Sequence, residues 1–188
     1  LTRPLCLKSP ENALCKGTVE AKLGKLDVMS KFVQITTTVN GENVSRSVEP
    51  RTNLVDFVRY DLELTGSHVG CEHGVCGACT IRLNGEIVRG CLVLAAQADG
   101  GVVETIEGLS ESGKISDLQD SFLTRNAGQC GSCTPGMLLT ADSLLEENKE
   151  PTRTEIREYI SGNYCRCTGF EAIVDAIEMT SKKRRGEG

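Results

Sequence analysis

Tryptophan is absent from this 188-residue chain, and aromatic residues make up only 4% of it. A core must therefore rest on Val, Ile, Leu and Ala, and an apolar content of 39% allows one medium domain or two small ones. Long hydrophobic runs are missing too. No window approaches the roughly 18–20 consecutive apolar residues of a membrane span, so no membrane span is expected. The opening stretch, LTRPLCLKSPENALCKG, has no apolar segment of the kind a Sec-type leader carries. Excess positive charge is also lacking. The formal net charge is −5, which argues against a nucleic-acid partner. The one basic cluster, Lys182–Lys183–Arg184–Arg185, reads as part of a solvated tail over residues 181–188. Neither G-x-G-x-x-G nor a P-loop occurs, so no nucleotide or dinucleotide site of the chain's own is expected.

What the chain does have is cysteine. There are ten, at positions 6, 15, 71, 76, 79, 91, 130, 133, 165 and 167. In a small secreted domain this would read as a disulfide framework, but at this length and without a leader metal binding is the better reading. Cys6 and Cys15 stand apart and receive no role. Residues 1–30 are mixed and polar, and read as an N-terminal extension.

From residue 31 the pattern is extended. Phe32–Val39 is β-branched and partly alternating, Asn40–Gly41 favours a type I′ turn, and Glu42–Val48 is the return strand. Thr52 is a candidate cap for a short helix carrying Leu54, Val55, Val58 and Leu62. A second hairpin, Thr80–Leu83 with Glu86–Val88, turns at Asn84–Gly85, and a last strand is expected over Val102–Glu107. These pieces make a small mixed sheet with one helix across it. Beyond residue 110 the chain reads as four helices. Ser116 with Gln119, Thr152 with Glu155 and Thr168 with Glu171 fit helix starts, as does Thr134 followed by Pro135. Gly128 and Gly162 fit helix stops. Four helices of this length suggest a small bundle. The expected organisation is an extension over 1–30, a sheet domain over 31–108, a helical domain over 112–180 and the basic tail.

The sheet half contains Cys71-x4-Cys76-x2-Cys79, with Cys91 returning after a hairpin. C-x4-C-x2-C followed by a distant fourth cysteine is the plant-type 2Fe-2S spacing. Gly70, Gly74 and Gly77 in this loop let the backbone wrap a cluster and aim N–H groups at sulfur. Zinc sites use C-x2-C pairs across a longer spacer and fit this set poorly. His68 and His73 read as loop residues, because four cysteines already complete the site. The helical half contains Cys130-x2-Cys133-x31-Cys165-x-Cys167. In an antiparallel bundle the two helix–helix turns that carry them lie at one end. Spacing alone leaves zinc and iron–sulfur both open for this second set.

The stretches GCEHGVCGACT, GQCGSCTPGM and GNYCRCTGF resemble the iron–sulfur subunit of the xanthine oxidase family of molybdenum hydroxylases, over about residues 31–180. The resemblance implies an α+β chain: an N-terminal β-grasp domain like plant ferredoxin, then a four-helix-bundle 2Fe-2S domain. It implies two 2Fe-2S clusters, one on Cys71, Cys76, Cys79 and Cys91 and one on Cys130, Cys133, Cys165 and Cys167. It implies electron transfer from a molybdopterin centre on a large subunit, through the helical-domain cluster and then the ferredoxin-type cluster, to FAD on a medium subunit. In this family Gln129 and the sulfur of Cys167 would contact the pterin, in a dinucleotide form. The resemblance further implies a separate small subunit within a larger heteromer such as a dimer of heterotrimers. Substrate oxidation takes place on the large subunit, with N-heterocycles or aldehydes mildly preferred, and a cytoplasmic location follows from where iron–sulfur clusters are assembled. Two rival readings are a free-standing ferredoxin and a zinc-binding interaction module.

Overall fold

The computed structural model describes residues 31–187, so the readings made for residues 1–30, Cys6 and Cys15 lie outside the described residues. Five strands form one mixed sheet: β1 (Val33–Val39), β2 (Glu42–Val48), β3 (Thr80–Leu83), β4 (Glu86–Arg89) and β5 (Val102–Glu104), in the order β2-β1-β5-β3-β4. The two outer pairings are the expected hairpins. Val39 faces Glu42 and Leu83 faces Glu86 across two-residue turns. Asn40 and Gly41 have φ of 51° and 88°, and Asn84 and Gly85 have 53° and 90°, the positive pairs that a type I′ turn demands. β5 then closes the sheet from within, parallel to β1 and antiparallel to β3.

The helix that crosses this sheet is shorter than its apolar spacing implies and widens at its end. α1 (Leu54–Asp56) runs directly into a π-helical turn over Phe57–Asp61. Its cap is Asn53, whose side chain accepts from the Asp56 N–H at 2.8 Å, and not the expected Thr52. Leu54, Val55, Phe57 and Val58 are fully buried against Ile35, Val39, Ile81 and Val103. Full burial of each such side chain contributes about 1.5–3 kcal/mol.

The helical half comprises α2 (Ile106–Glu111), α3 (Ser116–Thr124), α4 (Thr134–Glu147), α5 (Arg153–Tyr159) with a 3-10 turn over Ile160–Gly162, and α6 (Glu171–Arg184). α2 replaces the end of the expected last strand. β5 stops at Glu104 because Ile106 and Leu109 are drawn into the helical core with Leu118, Met137 and Ile177. The Glu107 carboxylate then accepts from the Thr105 hydroxyl at 2.5 Å and from the Gly66 N–H at 2.6 Å. The expected sheet-domain limit at residue 108 therefore falls inside a helix.

Several helix ends differ from the sequence expectation. Ser116 and Gln119 form no capping box, since Gln119 donates instead to Ser110 Oγ at 2.8 Å. α3 ends before Gly128, with Asn126 in the left-handed region at φ 53°. Cys133 occupies the N-cap position of α4, one residue before Thr134. Thr152 and Glu155 do form their box. Thr168 does not pair with Glu171, because Glu171 is held by Arg153 and Arg157 while Thr168 accepts from the Phe170 N–H at 3.2 Å. The basic run forms the end of a helix, with Lys182, Lys183 and Arg184 exposed on it. Arg184 closes α6 and bonds Asp117 at 2.7 Å, and cations suit the negative end of a helix.

α4 is buried on nearly every side from Gly136 to Leu145 because it lies between the sheet and the other helices. Asp142 at its centre is completely buried and faces Arg82 of β3, itself only 2% exposed, at 3.3 Å. Gly136, one turn from the α4 start, lies so close to the Gly77 carbonyl that an added Cβ would collide with it. Gly77 has φ of +75°, and a Cβ there would stand 2.5 Å from the Gly162 carbonyl. Two glycines thus let the cysteine loop of one half lie directly on the helices of the other. Among the described residues no helix is long and apolar enough to cross a membrane.

Candidate metal centres

Eight cysteines within the described residues are free thiols, and they gather as the two sets expected from the sequence. Within each set the hydrogen-bonding contacts between thiols run in twos, and charge coupling also links the pairs, Cys79 to Cys76 and Cys133 to Cys130. The Cys71 side chain interacts with that of Cys76, and Cys79 with Cys91. In the helical half the Cys167 and Cys130 sulfurs lie 3.5 Å apart, and Cys133 interacts with Cys165. Among the described residues no three His, Cys, Asp or Glu side chains gather where one ion could sit. Two pairs per set is the division a dinuclear cluster requires, with two thiolates on each iron, whereas a structural zinc takes four ligands around a single centre.

Local backbone geometry prepares these sulfurs. The loop from Gly70 to Ala78 turns on Glu72, Gly74 and Gly77, all at positive φ. The Cys76 N–H donates to Cys71 Sγ at 3.3 Å. That bond, with those from the His73 and Val75 N–H groups, holds the Cys71 thiol down to about 6. In the helical half the Ser132 N–H lowers Cys130. Burial opposes ionisation at Cys165, yet the Thr168 hydroxyl and backbone N–H outweigh it and leave that thiol lowered as well. Burial pushes Cys79 up to about 11 and Cys133 up to about 12. Contact with Cys130 raises Cys167. Metals bind thiolates, so N–H donors that stabilise sulfur anions are the donors that would stabilise cluster sulfurs. On this test the residues present fit an iron–sulfur cluster in each set.

The two sets differ in exposure. Cys71, Cys76 and Cys91 are half-buried and Cys79 is buried, whereas Cys130, Cys167 and Gln129 are all exposed. Gln129 donates through Nε2 to the Cys167 carbonyl at 3.2 Å, which brings the three exposed residues onto one patch. His68 and His73 stand apart from the thiol pairs. The His68 Nδ1 contacts the Ser132 carbonyl at 2.9 Å and the His73 Nδ1 contacts the Cys71 carbonyl. His68 thereby ties the loop ahead of Cys71 to the loop between Cys130 and Cys133.

The junction between the sets contains residues that the sequence did not single out. The Tyr164 N–H, next to Cys165, donates to the Cys76 carbonyl at 2.8 Å. Asn163 bonds the Gly77 carbonyl at 3.1 Å, and Arg89 bonds the Gly162 carbonyl at 2.8 Å. Their one sequence signal was position, flanking the cysteine motifs in GNYCRC and VRGC.

Two family models together match residues 37–178. The "2Fe-2S iron-sulfur cluster binding domain" matches residues 37–105 and the "[2Fe-2S] binding domain" matches residues 105–178. The chain is 51% identical over 156 residues to the caffeine dehydrogenase subunit gamma of Pseudomonas sp. (strain CBB1), which covers 81% of this chain and 93% of the relative. It is 51% identical over 148 residues to the nicotine 6-hydroxylase small subunit of Paenarthrobacter nicotinovorans, 79% of this chain and 89% of that one. Among solved structures, quinoline 2-oxidoreductase from Pseudomonas putida 86 aligns with a TM-score of 0.77 at 51% identity, over 85% of this chain and all of the matched chain. The fold is accordingly a two-domain 2Fe-2S fold, with a sheet in one half and helices in the other. With cysteine spacing, two family models and relatives at half identity in agreement, the chain belongs to the iron–sulfur subunits of the xanthine oxidase family of molybdenum hydroxylases.

Proposed function

We propose that this chain is the electron-transfer subunit of a multi-subunit molybdenum hydroxylase. It would relay electrons from a molybdopterin centre, through two 2Fe-2S clusters, toward FAD. The observation that carries this reading is the pairing of eight thiols into two sets of two pairs, with one backbone hydrogen bond, Tyr164 N–H to Cys76 O, between the sets. In this reading the sheet half is a β-grasp domain of the plant-ferredoxin type and the helical half is a four-helix bundle built on α3, α4, α5 and α6. Cys71, Cys76, Cys79 and Cys91 hold one cluster, and Cys130, Cys133, Cys165 and Cys167 hold the other. Each cluster, when bound, accepts and releases one electron at a time, so that a two-electron oxidation at molybdenum is handed on in single steps.

The chain's own residues bind, insulate and aim. Backbone N–H groups of the loop from Gly70 to Ala78 stabilise sulfur charge at Cys71 in the less exposed set. The exposed patch of Gln129, Cys130 and Cys167 is the face we assign to the pterin, with the Gln129 amide and Cys167 sulfur as its contacts. The pterin, a dinucleotide form of molybdopterin, would sit on a large partner subunit and FAD on a medium one, in a heteromer such as a dimer of heterotrimers. The relatives' names, with caffeine, nicotine and quinoline in them, favour an N-heterocycle over an aldehyde as the substrate class of the complex. Iron–sulfur clusters are assembled in the cytoplasm, and we place the protein there.

The deciding experiment is electron paramagnetic resonance with spin counting on the dithionite-reduced full chain, beside iron and sulfide analysis. Two distinguishable spin-half signals of equal weight are expected. One signal alone would point to a single-cluster carrier, and bound zinc with no signal would overturn the reading. Replacing Gln129 by Ala is expected to leave both signals intact and to slow reduction by substrate in the assembled complex by about tenfold, the scale on which a misplaced orienting group acts. Unchanged single-turnover kinetics would remove Gln129 from the pterin contact.

A further inference from the structure

Asn163 is 1% exposed and lies two residues before Cys165. Its side-chain amide is fully engaged. Nδ2 donates to the Gly77 carbonyl at 3.1 Å and to Thr80 Oγ1 at 3.3 Å. Oδ1 accepts from Arg89 Nη2 at 3.2 Å, and Thr140 Oγ1, whose single proton also has the Gly136 carbonyl at 2.9 Å, lies 3.1 Å from it. An amide offers two N–H donors and two lone pairs, and each has a polar partner within reach here. Its orientation is forced as well. A flipped amide would set oxygen against the Gly77 carbonyl and NH2 against the Arg89 guanidinium, so only one placement satisfies both neighbours.

The surroundings make this amide a spacer of fixed length. Two consecutive residues of the helical half, Asn163 and Tyr164, engage two consecutive carbonyls of the other half, Gly77 and Cys76. Arg89 fastens the neighbouring Gly162 carbonyl at 2.8 Å and also reaches the Thr80 hydroxyl. A Cβ on Gly77 would stand 2.9 Å from Asn163 Cα, so the backbones already touch. A purely adhesive junction would be served by apolar packing. A buried, saturated and directional amide costs desolvation and returns a single geometry.

We propose that Asn163 is a positioning residue. It holds the Gly77 carbonyl, one residue past Cys76, in register, so that the Tyr164 N–H stays on the Cys76 carbonyl, and it thereby sets how fast an electron crosses between the two cysteine sets. This rests on the electron-transfer reading above. Its effect is on the contact between the sets, and it touches neither set's sulfurs.

The test uses the full chain carrying both clusters, as wild type, Asn163→Ala and Asn163→Asp. Rapid one-electron reduction followed by spectroscopy reads the rate at which the two signals equilibrate. The magnetic interaction between the two reduced centres gives a second readout, and spin counts with separate reduction potentials report whether each centre is intact. Both variants are expected to keep two signals and their potentials. Equilibration should slow by about tenfold in Asn163→Ala and further in Asn163→Asp, where an oxygen faces the Gly77 carbonyl. The magnetic splitting should change in the same order. Wild-type rates and splitting in both variants would overturn the proposal, and so would loss of both clusters in both variants, which would make Asn163 a folding residue. A wild-type chain lacking two signals would instead fail the functional reading, and this inference with it.

Discussion

A Cys130→Ser chain is expected to lose one of its two iron–sulfur signals, with half of its iron and sulfide, and to keep the other signal at full weight. The reasoning starts from chemistry. A cluster iron takes soft thiolate ligands, and a serine hydroxyl is a harder, far less acidic donor. Cys130 is paired with Cys167 at 3.5 Å, so its loss strips one iron of half of its protein ligands. The other set sits on a separate loop whose N–H donors do not involve Cys130, so it should be untouched. In the assembled complex the variant should abolish electron flow from substrate to any external acceptor, because the exposed set is the one assigned to the pterin side. Cys130→Ala is the companion that removes the remaining oxygen ligand, and it should behave identically. Retention of both signals and full turnover in these variants would break the ligand assignment for the helical half. Loss of both signals would show that the two halves do not load independently.

The parts of this molecule that could be read from sequence are those governed by short-range rules. Asn40–Gly41 and Asn84–Gly85 demand positive φ at two adjacent positions, and that requirement is local, so both hairpins and their registers followed from it. The C-x4-C-x2-C spacing is similarly local. Helix ends were legible in part: the Thr152–Glu155 box, the Pro135 start and the Gly162 stop agree with the structure, while other candidate caps had competitors for their side chains. Gln119 bonds Ser110, Glu171 bonds two arginines, and Asn53 displaces Thr52. The border between the halves shifted for the same reason, since Ile106 and Leu109 could serve a strand or a helix until a core claimed them. The junction was invisible for a different reason. The roles of Asn163, Arg89, Gly77 and Gly136 depend on residues from 23 to 86 positions away in the chain, and nothing in their own neighbourhoods announces it.

The largest stability effect is expected at Asp142. Its carboxylate is 1% exposed and faces three cations: Arg82 at 3.3 Å, Arg184 at 3.3 Å and Lys114 at 3.8 Å. Arg82 is the critical partner. It projects from β3 with only 3% of its side chain exposed, its Nε already has no partner, and its other contacts are Glu146 at 3.0 Å and Glu104 at 3.5 Å. Asp142→Ala leaves that guanidinium buried and under-compensated at the seam between the two halves, a loss of about 3–5 kcal/mol. For a domain of this size the loss lowers Tm by roughly 10 °C, read as the bleaching of cluster absorbance at a fixed heating rate. Asp142→Asn keeps the shape and one acceptor and should fall between. The double replacement Arg82→Met with Asp142→Leu should recover most of the loss, because a buried ion pair is costly mainly when only one member remains. A double variant no better than Asp142→Ala would show that the network contributes beyond mutual compensation. The surrounding carboxylates add a pH signature. Despite the burial that opposes it, Asp117 is held below its ordinary 3.8 by Arg184, and Glu146 below its ordinary 4.5 by Lys114 and Arg82. A carboxylate depressed in the folded state stabilises fully above its ordinary value and loses that contribution as pH falls through and below it. Acid should therefore lower the Tm of the wild type more steeply than that of the double variant, which lacks one of the cations holding Glu146 down.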